Sequence, residues 1–214
     1  MKITQIKKKS GRNNLYSVFI DCKFSFSTTS DRLDVLNLKV GRSLKRLELK
    51  EILRLEEKEQ ALQYAFLLLS YRQRTEKEIL GRLKKKKYSL EVTDYVVKKL
   101  NRIKYLDDLA FSRSWIENRL RRSPRGERLL YLELIQKGVR QETARRALRE
   151  VFNNSNINEV ELALKSIEKK TKQYRRVERD KAKRRIYNFL ARRGYSQDAI
   201  REVIDKFFSK NGYN

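Results

Sequence analysis

The hydrophobic pattern of the chain changes period near residue 48. Before that point the apolar residues sit in short runs suited to strands. Leu15-Tyr16-Ser17-Val18-Phe19-Ile20 is rich in β-formers, and Phe24-Ser25-Phe26-Ser27 alternates with period 2. With Lys2 to Lys8 they predict a small antiparallel sheet. Ser10-Gly11-Arg12-Asn13-Asn14 reads as a loop by composition. Asp21-Cys22-Lys23 falls where the second turn belongs, without the glycine that would favour positive φ there. Ser30 or Asp31 is placed to cap a short helix carrying Leu33 and Leu36.

From about Glu48 onwards the spacing becomes helical. Leu49, Ile52, Leu53 and Leu55, then Leu62, Ala65, Phe66 and Leu69, recur at roughly the 3.6-residue period. Thr75-Glu76-Lys77-Glu78 has the form of a capping box, and Ile79 and Leu83 share the next apolar face. Ser89 is a cap for a further helix with Val92, Val96 and Leu100 inward. Asp107 or Asp108 can cap a helix with Phe111 and Trp115 four residues apart. Ser123-Pro124 resembles a cap followed by proline at the first helical position. Gly138 and Gly194 sit where helices ending in a left-handed residue place glycine. Asn158, Asp180 and Ser196 complete the set of expected caps.

These segments superimpose in sequence. Ile79, Leu130 and Ile186 correspond, as do Leu83, Leu134 and Leu190. The residue after each break is Tyr88, Val139 or Tyr195, and the later apolar pair is Val96/Val97, Ala147/Leu148 or Val203/Ile204. The expected fold is mainly α, built of tandem three-helix repeats of helix-turn-helix type forming an elongated curved body behind a small β-rich segment. The boundaries are 1–47 for the β segment, 48–106 for repeat one, 107–155 for repeat two and 156–214 for repeat three.

Composition supports this and narrows the function. With 7 Gly and 1 Pro in 214 residues, connections are short. A hydrophobic share of 39% beside 37% charged residues suits small modules with much exposed helix surface. The 53 Lys and Arg against 27 Asp and Glu give a net charge of +26, which attracts a polyanion. One Cys excludes an internal disulfide, and the absence of His removes the commonest general base and a main zinc ligand. The N-terminus lacks the apolar core of a signal peptide, and Ala61-Leu62-Gln63-Tyr64-Ala65-Phe66-Leu67-Leu68-Leu69-Ser70-Tyr71 is far short of the ~20 residues that span a bilayer. A cytoplasmic, soluble monomer with no membrane contact is expected.

Candidate chemistry is concentrated in the cations. Neither a P-loop nor a GxGxxG stretch occurs, so no nucleotide or other cofactor is expected. Asp107-Asp108 is the adjacent acidic pair that could serve a metal-dependent nuclease, yet its place at a helix start favours a capping role. Three basic clusters recur in or beside the middle helices. They are Arg82 with Lys84, Lys85, Lys86 and Lys87; Arg119, Arg121, Arg122, Arg125 and Arg128; and the span 169–185, including Arg184 and Arg185, continuing to Arg192 and Arg193. Recurrence in three units points to contact with a phosphate backbone, against the alternative of solvated helix faces. The start of the third helix in repeat one, Ser89-Leu90-Glu91-Val92, is too apolar and acidic for a base-reading helix, so sequence-specific operator binding is not expected. Trp115, Tyr88 and Tyr195 could stack on bases, but their repeated positions suit core packing better.

The segment Tyr105-Leu106-Asp107-Asp108-Leu109-Ala110-Phe111-Ser112-Arg113-Ser114-Trp115-Ile116-Glu117-Asn118-Arg119 resembles the conserved segment of the RecX family. Glu133-Leu134-Ile135-Gln136-Lys137-Gly138-Val139 resembles the segment that follows it, and Arg192-Arg193-Gly194-Tyr195-Ser196 also fits. The resemblance covers essentially the whole chain and is most specific in repeat two. Ser123-Pro124 stands where the family often has Gly-Pro, and Arg140 replaces a typical cap residue. The resemblance implies a non-enzymatic regulator that binds the RecA filament on single- or double-stranded DNA and depresses its ATPase, growth and strand exchange. A general, sequence-independent nucleic-acid-binding protein is the alternative reading from charge alone.

Overall fold

The structure is a computed structural model that describes residues 1–10, 14–154, 157–168 and 170–210. The centre of the expected first loop, residues 11–13, lies outside the described residues. Strands β1 (Ile3–Lys8), β2 (Leu15–Ile20) and β3 (Lys23–Thr29) are followed by a run of helices. These are α1 (Ser30–Val35), α2 (Arg46–Tyr71), α3 (Glu76–Lys85), α4 (Leu90–Arg102), α5 (Asp108–Arg122), α6 (Glu127–Gln136), α7 (Gln141–Asn154), α8 (Glu159–Glu168), α9 (Thr171–Tyr174), α10 (Arg179–Arg192) and α11 (Gln197–Lys210). The chain divides into two compact units, Met1–Arg72 with Gly81–Arg102, and Gln73–Leu80 with Ile103–Asn214.

In the first unit the antiparallel sheet has the order β1-β2-β3. Its core gathers Ile3, Val18, Ile20 and Phe26 with Leu38, Leu44 and Ile52. The β2–β3 turn forms with Asp21 at φ 47° and Cys22 at φ 64°, so non-glycine residues occupy the left-handed positions. A register shift follows. Phe19 faces Phe24 while Val18 faces Phe26, which leaves Ser25 as an extra residue in β3. This bulge overturns the simple alternation expected of β3, placing Phe26 in the core while Phe24 is 57% exposed. Helix α1 starts after Thr29 without a side-chain cap, so neither Ser30 nor Asp31 has the expected capping role. The Arg32 guanidinium on α1 instead donates to the buried Glu56 carboxylate on α2 at 2.6 Å.

The second unit holds two successive apolar clusters. One gathers Phe111, Ile116, Leu130, Leu134, Ala147 and Leu148 from α5, α6 and α7. The other gathers Ala163, Ile167, Ile186, Leu190, Ile200 and Val203 from α8, α10 and α11. The equivalence read from the sequence holds in burial: Ile79, Leu130 and Ile186, and Leu83, Leu134 and Leu190, are all 0% exposed.

The middle helices also end identically. The N–H groups of Tyr88, Val139 and Tyr195 donate to the carbonyls of Leu83, Leu134 and Leu190 at 3.3, 3.0 and 3.3 Å. The residue before each is left-handed: Lys87 at φ 64°, Gly138 at φ 90° and Gly194 at φ 81°. This is the Schellman ending, three times. Of the expected caps, Ser89, Asp107, Asn158 and Ser196 each accept backbone N–H donors. Asp180 does not, since α10 begins after Glu178 with no side-chain cap. Ser123-Pro124 is not a start either, because α6 begins after Gly126.

Gly126 shows why. Its N–H donates to the Arg193 carbonyl at 2.9 Å, at the end of α10. A Cβ there would lie 2.1 Å from the Gly194 carbonyl oxygen. The same joint recurs one repeat earlier. The Thr75 hydroxyl, at the start of α3, donates to the Lys137 carbonyl at the end of α6 at 2.8 Å, and accepts from the Glu78 N–H at 3.2 Å. The starts of α3 and α6 are thus each seated on the end of the next middle helix.

Candidate nucleic-acid interface

The first basic cluster occupies the last turn of α3 and its ending, where cations favour the helix dipole. Arg82, Lys84, Lys85, Lys86 and Lys87 are all exposed. Lys86 Nζ lies 5.4 Å from the Tyr64 ring centroid.

The second cluster separates into two kinds of residue. Arg121, Arg122 and Arg128 are exposed, and Arg121 donates to the Asn118 side chain at 2.8 Å. Arg119 and Arg125 turn instead towards Glu133, whose side chain is 11% exposed. Arg119 Nε donates to Glu133 at 3.0 Å, and the Arg125 guanidinium pairs with the same carboxylate. Trp115 Nε1 donates to it at 2.9 Å. Arg119 and Lys137 lie 4.4 and 4.1 Å from the Trp115 ring, which stacks on Phe111. Trp115, Arg119, Arg125, Glu133 and Lys137, with Lys77 and Glu78, line a cavity of about 610 Å³. The sequence reading missed Glu133 as the organiser of this cluster. Its acidic side chain on an otherwise apolar segment, Leu129 to Ile135, was the signal that pointed to it.

In the third cluster Arg184, Arg185 and Arg192 are exposed. Arg193 is tied down: it donates to the Ser123 hydroxyl at 3.3 Å and the Pro124 carbonyl at 3.0 Å, and lies over the Phe189 ring. Arg185 and Arg192 share a smaller cavity with Lys170, Gln173, Tyr174, Asn188 and Phe189. The sequence named the two arginines there and included Lys170 in the same basic span, but not Asn188 or Phe189. Asn188 and Phe189 fall three and four residues after Arg185, and Arg192 seven after, a spacing that puts all four on one helix face.

The acidic pair serves the helices. Asp107 accepts from the N–H groups of Leu109 and Ala110, both at 2.9 Å. Asp108 accepts from the Glu76 N–H at 3.1 Å, so it satisfies the first free donor of α3. Burial raises the Asp108 carboxyl above its ordinary value. Among the described residues no group of three His, Cys, Asp or Glu is placed to hold a metal ion, and no helix is long and apolar enough to cross a membrane. Trp115 and Tyr195 pack as core-lining residues: Tyr195 is 5% exposed, and its hydroxyl lies 2.7 Å from that of Ser166.

The comparisons agree with this architecture. The models of the first, second and third three-helix domains of RecX match residues 61–100, 107–148 and 158–204. The chain is 31% identical to the regulatory protein RecX of Bacillus subtilis over 209 residues, covering 98% of this chain and 78% of that one. It is 29% identical to the RecX of Listeria monocytogenes over 98% of this chain and 77% of the relative. A crystal structure of regulatory protein RecX superimposes with a TM-score of 0.74 at 24% identity, covering 95% of this chain and 98% of that one. The RecX of Lactobacillus salivarius gives a TM-score of 0.63 at 21% identity, over 71% of this chain and 96% of its own, and so shows likeness of fold. With three repeats matched in order and a 31% identical relative aligned along 98% of this chain, this chain belongs to the RecX family of regulatory proteins.

Proposed function

We propose that this chain is a non-enzymatic regulator that binds the RecA filament on DNA as a cytoplasmic monomer and restrains it. It lowers ATP hydrolysis, filament growth and strand exchange, and through them acts on recombination, repair and the SOS response. Family membership carries the reading. The exposed cations in all three repeats support contact with a phosphate backbone: Arg82 and Lys84 to Lys87, then Arg121, Arg122 and Arg128, then Arg184, Arg185 and Arg192. Arg119, Arg125 and Arg193 have internal partners and serve the scaffold in this reading. The roles of Asp107 and Asp108 as caps speak for a regulator rather than a nuclease.

The test is RecA-driven ATP hydrolysis on single-stranded DNA with this protein titrated in. Hydrolysis should fall as the protein approaches stoichiometry with RecA, and an unchanged rate there overturns the proposal. The net charge of +26 favours a second reading, general sequence-independent nucleic-acid binding. Tight DNA binding without any effect on the filament selects it.

A further inference from the structure

One face of α10 carries Arg185, Asn188, Phe189 and Arg192. Lys170, Gln173 and Tyr174, from α9 and the residue before it, face them across a cavity of about 230 Å³. Among the described residues, three cations and two side-chain amides line it, and no carboxylate does. This sets it apart from the neighbouring cluster, where Arg119 and Arg125 converge on the internal carboxylate of Glu133. Bringing like charges together is unfavourable unless a counter-charge enters from outside. Arg185 and Arg192 line this cavity together beside Tyr174, so the two charges face one space. The cavity is smaller than the about 300–1,000 Å³ of pockets that enclose drug-sized ligands, so it suits one anionic group. Lys170 and Arg193, 4.3 and 4.7 Å from the Phe189 ring centroid, already lie over that ring. The aromatic surface is engaged by cations rather than offered to a base.

We infer that this cavity is a phosphate site, in which Arg185, Arg192 and Lys170, assisted by Asn188 and Gln173, hold one internal phosphodiester of a nucleic-acid strand. Guanidinium forks match the two free oxygens of a phosphodiester. No base contact is involved, so the site is indifferent to sequence. The inference rests on the reading of the protein as one that contacts DNA, and assigns that contact a place and a stoichiometry.

The experiment uses the full chain, Arg185→Gln, Arg192→Gln and the double variant. Each is titrated with a mixed-sequence single-stranded oligonucleotide lacking a terminal phosphate, across about 50 to 200 mM salt. Losing one phosphate contact on a single strand lowers the slope of log K against log salt by about 0.7. The double variant should show a loss approaching that one increment and each single variant a smaller one, because the remaining arginine and Lys170 still neutralise the same phosphate. An unchanged slope in the double variant overturns the site, and single losses of about 0.7 each that add to about 1.4 in the double variant overturn the sharing. A second oligonucleotide with a 5′-phosphate should show the same difference between the natural chain and the variants. A difference that appears only with the terminal phosphate would make the site one for phosphate monoesters and overturn the assignment to the strand interior. Both arginines are exposed, and thermal unfolding verifies that each variant folds. Should the double variant not fold, Arg192→Gln combined with Lys170→Gln carries the slope test. RecA-driven hydrolysis measured on the same proteins separates the two ideas. Loss of the slope increment in a chain without effect on RecA removes the regulatory reading and keeps the site, and the converse removes only the site.

Discussion

At the scale of single residues, the three middle-helix endings form an internal control. Two have glycine in the left-handed position, and the third has Lys87 at φ 64°. An L-residue held there costs roughly 1–2 kcal/mol relative to a relaxed backbone. Lys87→Gly is therefore expected to stabilise the protein by about 1 kcal/mol, read as a raised midpoint in urea unfolding. A lowered midpoint would mean that the lysine side chain contributes more than the strain costs. Legibility follows the same line. Gly138 and Gly194 were readable because glycine after an apolar helical run has a conformational reason to be there. Lys87 carries no such mark, and its equivalence came only from the register of Leu83 with Leu134 and Leu190. The Asp21-Cys22 turn was legible in place but not in conformation, because strand pairing sets a geometry that its residues do not advertise.

Among elements, the decisive contact is the seat of one middle helix on the end of the next. Gly126 has φ −70° and ψ 160°, which any residue adopts, so an added methyl meets no local strain. It meets the backbone of Gly194 and Tyr195 instead, at 2.1 to 2.5 Å. Gly126→Ala is expected to destabilise the protein by about 1–3 kcal/mol, as overpacking does, measured by chemical unfolding. A substitution without effect would show that the two repeats separate freely. The sequence misled at this place for a physical reason. Ser123-Pro124 has the grammar of a helix start, yet its hydroxyl and carbonyl receive Arg193, and the helix waits until Gly126 allows close approach. Local propensity cannot report a contact made by a residue some seventy positions away. The basic clusters were legible as charge. Which cations stay exposed was not, because that depends on pairings made only when helices pack: Arg119 and Arg125 with Glu133, and Arg193 with Ser123 and Pro124.

For the whole molecule, the net charge of +26 sets two salt responses of opposite sign. Self-repulsion among like charges weakens the compact state, and added salt screens it. Exposed ion pairs such as Lys98–Asp94 and Lys206–Glu202 would lose strength in salt, but such pairs contribute only about 0–1 kcal/mol each. With 53 Lys and Arg against 27 Asp and Glu, repulsion outweighs these pairs. The melting temperature is thus expected to rise as salt increases from about 0.05 to 0.5 M, over which the Debye length falls from roughly 14 to 4 Å. Circular dichroism at the helical signal measures it. Affinity for nucleic acid should fall steeply over the same range, since releasing a counterion from each neutralised phosphate is most favourable at low salt. A melting temperature that falls with salt would mean that attractive surface pairs such as Arg54–Glu91 and Arg146–Glu150 outweigh the surplus. The surface charge would then be a stabilising network rather than a repulsive field that a polyanion relieves.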